Sequence, residues 1–257
     1  MGLFDPKTFS VFLQIMTGIA VIVFFALFFV DAGYGIMYNK KWKVTVNNRL
    51  GWILMEAPVF VVMLLSWLFS DRKFEVVRLI FFLLFQCHYF QRSFIFPMLF
   101  KTKSRMPILI MLSGVTFNMM NGLMQGGWIF YVSPADLYTS NWLYSPQFII
   151  GVIMFFIGMG INLHSDYIIR HLRKPGDHNH YLPKGGFYDY VTSANYFGEL
   201  IEWLGWAILT WSWAGLVFFI WSFANLVPRA NTIYKKYQKM FPEMENLKLK
   251  RVIPFIY

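Results

Sequence analysis

The chain alternates long apolar runs with short polar connections. Six stretches, about 9 to 30, 51 to 70, 74 to 100, 107 to 130, 146 to 169 and 197 to 227, reach or approach the roughly 20 residues that one helix needs to cross a bilayer. The last is too long for a single crossing. Its "TWSWAG" segment at 210 to 215 carries a glycine and no charge, so the pattern predicts a tight turn there and seven helices in all. One run ends oddly: "FIIGVIMFFIGMG" flows into "INLHSDYIIRHLRKPGD", residues 161 to 177, as one continuous helix. Either that helix surfaces into water, or Asn162, His164, Asp166, Arg170 and Arg173 form one wall of a polar site.

Composition supports the membrane reading. Of 257 residues, 57% are hydrophobic, 21% aromatic and 14% charged, against about a quarter charged in soluble domains. No internal repeat, low-complexity tract or soluble region interrupts the pattern, so residues 1–257 are read as one all-α, seven-helix membrane domain. The net charge of +10 is informative through its placement. With the N-terminus outside, the inner loops and tail collect Lys40, Lys41, Lys43, Arg49, Lys101, Lys103, Arg105, Arg170, Arg173, Lys174, Lys184 and seven more from Arg229 onward; the outer segments hold Lys7, Arg72 and Lys73. This follows the positive-inside rule and predicts an outside N-terminus and a cytosolic C-terminus. A six-helix reading would spoil it. The charge therefore points to a lipid bilayer and away from nucleic acid. Cys87 stands alone in an apolar helix, which excludes a disulfide framework. "MGLFDPKTFS" lacks the basic stretch of a cleavable signal, so the first helix is expected to be retained.

Polar side chains inside membrane helices face the bundle interior, a cavity or a partner. Under this topology Glu56 in "GWILMEAPVF" lies about two turns from the cytosolic end. His88, Tyr89 and Arg92 of "QCHYFQRSF" fall in the cytosolic third of the third helix, and Asn162 and Asp166 near the end of the fifth. Asn195, Glu199 and Glu202 open the sixth, and Arg229 and Tyr237 close the seventh. Every helix from the second to the seventh, except the fourth, adds ionisable residues to this layer. Residues 162, 166, 169 and 173 share one helical face, as do 195, 199 and 202, and 229, 233 and 237. Amides, carboxylates and arginines open to the cytosol suit a ligand with phosphates and hydrogen-bonding rings, because guanidinium matches phosphate bidentately. A nucleotide is the candidate. Plainer readings stand beside this one: Arg170, Arg173 and Lys174 as surface anchors, Asn195 as a helix cap, Tyr89 as an interfacial aromatic. Glu56 resists a plain reading, because a carboxyl so deep must be paired or protonated.

Familiar catalytic motifs are absent. "GYG" at 33 to 35 and "GMG" at 158 to 160 lack the preceding strand and third glycine of a Rossmann fingerprint. Five histidines are too few for the boxes of a membrane di-iron oxygenase. No zinc motif, P-loop or nucleophile elbow occurs, so no metal site is expected.

"GMGINLHSDYIIRHLRKPGD", "YVTSANYFGELIEWLGWA", "HYFQRSF", "AGYG" and the closing "YQKMFPEMENLKLKRVIPFIY" together resemble the steroid 5α-reductases over essentially the whole chain. The resemblance implies a seven-helix membrane enzyme that uses NADPH to reduce the 4,5 double bond of a 3-oxo-4-ene steroid, with hydride delivered to C5. It implies Glu56 and Tyr89 as the catalytic pair that polarises the C3 carbonyl. It assigns cofactor contacts to Asn162, Asp166, Arg173, Asn195, Glu199, Arg229 and Tyr237, with Tyr34 and Arg92, and lines the steroid pocket with Trp52 and Trp203. The chain departs from the animal members at Met55, where they have Gln, and at Ser113, where they have Arg; both lie near the substrate. His180 and Tyr181 replace Tyr and Arg, and Ile233 replaces His, near the cofactor. Preference for NADPH then rests on Arg173, Arg229 and nearby lysines, with Lys103 or Arg105 as a further phosphate contact. Reduction of another enone or enoyl lipid or of a sterol double bond is the alternative within enzymes, and a methyltransferase using S-adenosylmethionine is a further one. A lipid-binding or transport protein is the alternative outside them, but it leaves Asn162, Asp166, Asn195 and Glu199 unexplained. The membrane is the endoplasmic reticulum or a bacterial inner membrane, and a monomer is compatible with every role named.

Overall fold

The structure, a computed structural model, describes residues 2–29, 42–101, 104–173, 177 and 179–257. Among these, seven long helices follow one another: α1 (Pro6–Ala26), α2 (Asn48–Leu68), α3 (Val76–Phe90), α4 (Ile108–Gly127), α5 (Pro146–His171), α6 (Ala194–Thr210) and α7 (Trp213–Met240). Six spans are long and apolar enough to cross a membrane by length and composition: α1, α2, α4, α5, α7, and α3 together with the helical turns that continue it to Met98; α6, with 17 residues, is not among them. The turn anticipated in "TWSWAG" is present at Trp211, whose φ of 44° is left-handed, and Ser212. It does not use Gly215. That residue sits in the first turn of α7, where its N–H is capped by the Ser212 hydroxyl.

Among the described residues the regular structure is helical apart from one small ribbon, which the sequence pattern did not foresee, and a single bridge between Val191 and Lys250. β1 (Thr45–Asn47) pairs antiparallel with β2 (Arg105–Pro107). Each strand runs directly into a helix, so the ribbon ties the starts of α2 and α4 together. Asn47 also caps α2, accepting from the N–H groups of Arg49 and Leu50. This side of the bundle is called the ribbon end below.

The helices turn Ile22, Phe25, Leu83, Phe90, Ile153 and Phe156 outward, while Arg78, His88, Asn121, Gln125 and Glu202 are buried within. That inversion is the signature of a multi-pass membrane bundle. α3 runs through the middle, with Phe81 and Phe85 packed on Trp206. At its far end Arg78 is fully buried and donates to Glu75, Ser133 and the carbonyls of Ile129 and Pro134, which clamps α3 to the end of α4. At the ribbon end α3 widens into a π turn, Gln91–Ile95. Pro97 explains the widening: it has no N–H for the Ser93 carbonyl, and its ring would crowd that carbonyl in an α-helix. The π turn leaves both Arg92 and Ser93 buried.

α5 and α6 approach backbone to backbone. A methyl group on Gly158 would strike the Glu202 nitrogen and the Gly198 carbonyl; one on Gly151 would strike the Leu209 nitrogen and the Gly205 carbonyl. The glycines are seven apart on both helices, two turns, so they form one antiparallel seam. We expect Gly158→Ala to lower the thermal midpoint of the detergent-purified protein, because overpacking costs about 1–3 kcal/mol. Gly160 faces open space, so Gly160→Ala should leave the midpoint unchanged or raise it. Equal midpoints for the two variants would dismiss the seam.

Candidate active site

Arg92 joins three helices. From the π turn its guanidinium donates to Asp166 Oδ2 on α5 at 3.1 Å and pairs with Glu199 on α6 at 3.8 Å. Its plane lies over the rings of Phe96, at 4.3 Å, and Trp52, at 5.2 Å. The other Asp166 oxygen accepts from Asn195 Nδ2 at 3.4 Å, and Asn162 Nδ2 donates to the Asn195 carbonyl at 3.0 Å. Arg92, Asp166 and Asn162 are all buried. Asn195 is not a cap: Ser193 holds the N-cap position of α6 and makes no capping bond.

The proposed α5 stripe needs correction beyond Asp166. α5 ends at His171, so Arg173 lies past the helix, where it donates to His180 Nδ1 at 2.7 Å and lies within electrostatic reach of Tyr237. Ile169, expected on the inner face, is 41% exposed. Arg170 takes its place, with its charge acting on Asp166 and Nη1 buried without a hydrogen-bond partner. The reason is geometric. α5 outruns the start of α6 here, so the helix that covers the stripe is gone.

Tyr89 and Glu56 lie within electrostatic reach of each other. Tyr89 is buried and stacks on Trp203, with ring centroids 5.8 Å apart and planes inclined by 23°. Its hydroxyl oxygen accepts from Asn121 Nδ2 at 3.1 Å. Glu56, on α2, is partly exposed, and Oε2 accepts from Asn118 Nδ2 at 3.3 Å; the same amide donates to the Met55 carbonyl at 2.7 Å. Both amides belong to α4, the helix that contributed no ionisable residue to the polar layer. Their signal was the spacing of Asn118, Asn121 and Gln125 along an otherwise apolar helix. Beside Tyr89, His88 Nδ1 contacts Glu202 Oε1 at 2.6 Å, both side chains buried.

The remaining expected residues divide. Trp52 and Met55 are buried in a cluster with Met106 and Met111. Ser113 is exposed and its hydroxyl donates to the Ile110 carbonyl of its own helix. Arg105 is engaged in the ribbon, donating to Thr45. Arg229 is half-buried on α7, and Tyr237 packs near Leu182, Met244 and Leu249. Tyr34 and Lys103 lie outside the described residues. Tyr188, which no periodicity marked because it sits in the short turn Gly186–Asp189, is buried with Val191 and Ala194, within electrostatic reach of Asp166 and Tyr237. Burial, and then the nearby Asp166 carboxylate, push its hydroxyl well above the usual tyrosine range. His180 is shifted the other way, below the usual histidine range, by burial and by the cations Arg173 and Lys236.

The closing motif has a defined task. Thr192 and Ser193 donate their N–H groups to the carbonyls of Lys250 and Arg251, and Lys250 donates to the Tyr190 carbonyl. The tail therefore braces the segment immediately before Asn195. Around that segment the donors suit a phosphate-bearing cofactor. Among the described residues Ser193 Oγ and Arg170 Nη1 are buried without partners, and the N-terminus of α6, which starts from Ser193, has no side-chain cap on its first N–H groups. Deeper in, the amides and carboxylates of Asn162, Asp166, Asn195 and Glu199 suit polar rings.

Residues 104–257 match the family described as 3-oxo-5-alpha-steroid 4-dehydrogenase. Steroid 5-alpha-reductase DET2 of Arabidopsis thaliana is 38% identical over 235 residues, 89% of this chain and 89% of the relative. 3-Oxo-5-alpha-steroid 4-dehydrogenase 2 of Sus scrofa is 37% identical over 238 residues, 90% of this chain and 91% of the relative. The human protein of the same name is 38% identical over 232 residues, 88% of each. With a family match over more than half of the chain and identity of this extent over most of it, the chain belongs to the 3-oxo-5-alpha-steroid 4-dehydrogenase family of oxidoreductases, which act on CH–CH bonds.

Proposed function

We propose that this protein is an NADPH-dependent reductase of the 4,5 double bond of 3-oxo-4-ene steroids, a single seven-span membrane domain with its N-terminus outside and its ribbon end and C-terminus in the cytosol. One observation carries the reading: a hydrogen-bonded polar group centred on Arg92 and Asp166 adjoins two acids, Tyr89 and Glu56, inside an apolar bundle. The family relationship supplies the reaction class.

NADPH, when bound, supplies the hydride. Arg170, Arg173 and Arg229 at the cytosolic rim, with Ser193 and the start of α6, hold its phosphates. Asn162, Asp166, Asn195 and Glu199 hold its polar rings, Arg92 keeps the carboxylates in place, and Tyr237 and Tyr188 close the rim. An enone accepts hydride at C5 only when charge developing on its carbonyl oxygen is stabilised. Tyr89 meets that need by donating its hydroxyl proton toward the C3 oxygen, and Glu56 adds a second donor in its protonated form. Trp52, Met55 and Trp203 give the steroid flat apolar walls that keep water from the reacting atoms. A flat apolar substrate enters from the lipid while the charged cofactor enters from the cytosol, so neither blocks the other.

Two measurements check this. Mass spectrometry of the protein purified in mild detergent should find NADPH or NADP⁺; S-adenosylmethionine, or no binding of NADPH, contradicts the reading. Tyr89→Phe and Glu56→Gln should each lower turnover of a 4-ene-3-one about 100-fold or more while cofactor affinity holds. Unchanged turnover in both variants would show that the acid pair is misassigned.

A further inference from the structure

Three buried side chains lead by hydrogen bonds to the Tyr89 hydroxyl. Trp206, Gln125, Asn121 and Tyr89 form one buried chain of hydrogen bonds running from α6 through α4 to α3. Trp206 Nε1 meets Gln125 Oε1 at 2.9 Å, Gln125 Nε2 meets Asn121 Oδ1 at 3.3 Å, and Asn121 Nδ2 meets Tyr89 Oη at 3.1 Å. All four side chains are at most 4% exposed.

The direction of the chain follows from its ends. An indole N–H can only donate, so the Gln125 atom facing Trp206 is the amide oxygen. Gln125 Nε2 also meets the Ala214 carbonyl at 2.9 Å, and a carbonyl can only accept. Two independent constraints thus place the Gln125 nitrogen toward Asn121. The Asn121 atom that faces it must then be its oxygen, which turns the Asn121 nitrogen to Tyr89. That nitrogen has no lone pair to offer, so the Tyr89 oxygen accepts. Its own proton finds no acceptor on α4 and is left for another partner.

We infer that Trp206, Gln125 and Asn121 are positioning residues that hold the Tyr89 hydroxyl as a donor toward the substrate carbonyl. The inference rests on the reductase reading for what Tyr89 donates to, while the polarity of the chain stands on the contacts alone. Asn118 acts in parallel one turn away. By donating to Glu56 Oε2 it makes that oxygen the acceptor and leaves Oε1 to carry a proton.

The test separates the two layers. In protein labelled with ¹³Cζ-tyrosine, the Tyr89 resonance is identified by its loss in Tyr89→Phe. Asn121→Leu should shift it, and so should Gln125→Glu, which does not touch Tyr89 but removes the donor to Asn121. An unmoved resonance in both variants overturns the chain, with or without turnover. In turnover of a 4-ene-3-one, Asn121→Leu should lower kcat about tenfold, the worth of one hydrogen bond, with the KM for NADPH unchanged. In the Tyr89→Phe background the same substitution should cost nothing further. A full additional loss there would mark Asn121 as structural and overturn its positioning role, while shifted resonances in a wild type that reduces no enone would overturn the reductase reading and leave the chain standing.

Discussion

Everything at the site depends on how closely α5 can approach α6. Between membrane helices there is little hydrophobic drive, since lipid is as apolar as the side chains, so close packing and interhelical hydrogen bonds supply the attraction. The Gly151–Gly205 and Gly158–Gly198 contacts allow that packing, and they also set the register. With Gly198 against the Asn162 nitrogen, Asn162 meets the Asn195 carbonyl and Asp166 meets the Asn195 amide. A larger residue at the seam would separate all of these at once.

The register then places charged groups where they must be satisfied by one another. Arg92 with Asp166, and His88 with Glu202, are buried, with Glu199 partly so, in a setting where an unpaired charge costs several kcal/mol, at the order-of-magnitude level. Breaking one partner is costlier than the pair is stabilising, which makes the layer rigid without making it a large source of stability. Rigidity is what a reductase of this kind needs. In the proposed reaction two ligands entering from different phases would have to meet in one geometry, and preorganised donors need no rearrangement during the reaction. Pro97, the π turn and the C-terminal brace of residues 190–193 serve the same end from three directions.

Much of this was legible in the sequence because two simple rules act together. Hydropathy locates the helices, and a carboxyl or hydroxyl well inside an apolar run has to find a polar partner, so Glu56, Tyr89 and Asp166 stood out before any contact was known. The helical period also placed Asn195, Glu199 and Glu202 on one face, and each now has a partner among Asp166, Arg92 and His88. The period failed at Arg173 and Ile169, because a stripe is meaningful only while a neighbouring helix covers it. Attention to ionisable residues passed over Asn118 and Asn121, which carry no charge yet bond Glu56 and Tyr89, and Gln125, which bonds Asn121. Tyr188 and the β1–β2 ribbon lie in connections, where their partners come from distant parts of the chain and leave no local pattern.

The central claim is that this polar layer directs hydride to one carbon of an enone. Incubating the purified protein with NADPH deuterated at the transferable position and a 3-oxo-4-ene steroid, then locating the label by mass spectrometry and NMR, tests it most directly. The expected result is one deuterium at C5 on the α face, with C4 acquiring its hydrogen from solvent. Deuterium at any other carbon, or none in a product that forms, would contradict it.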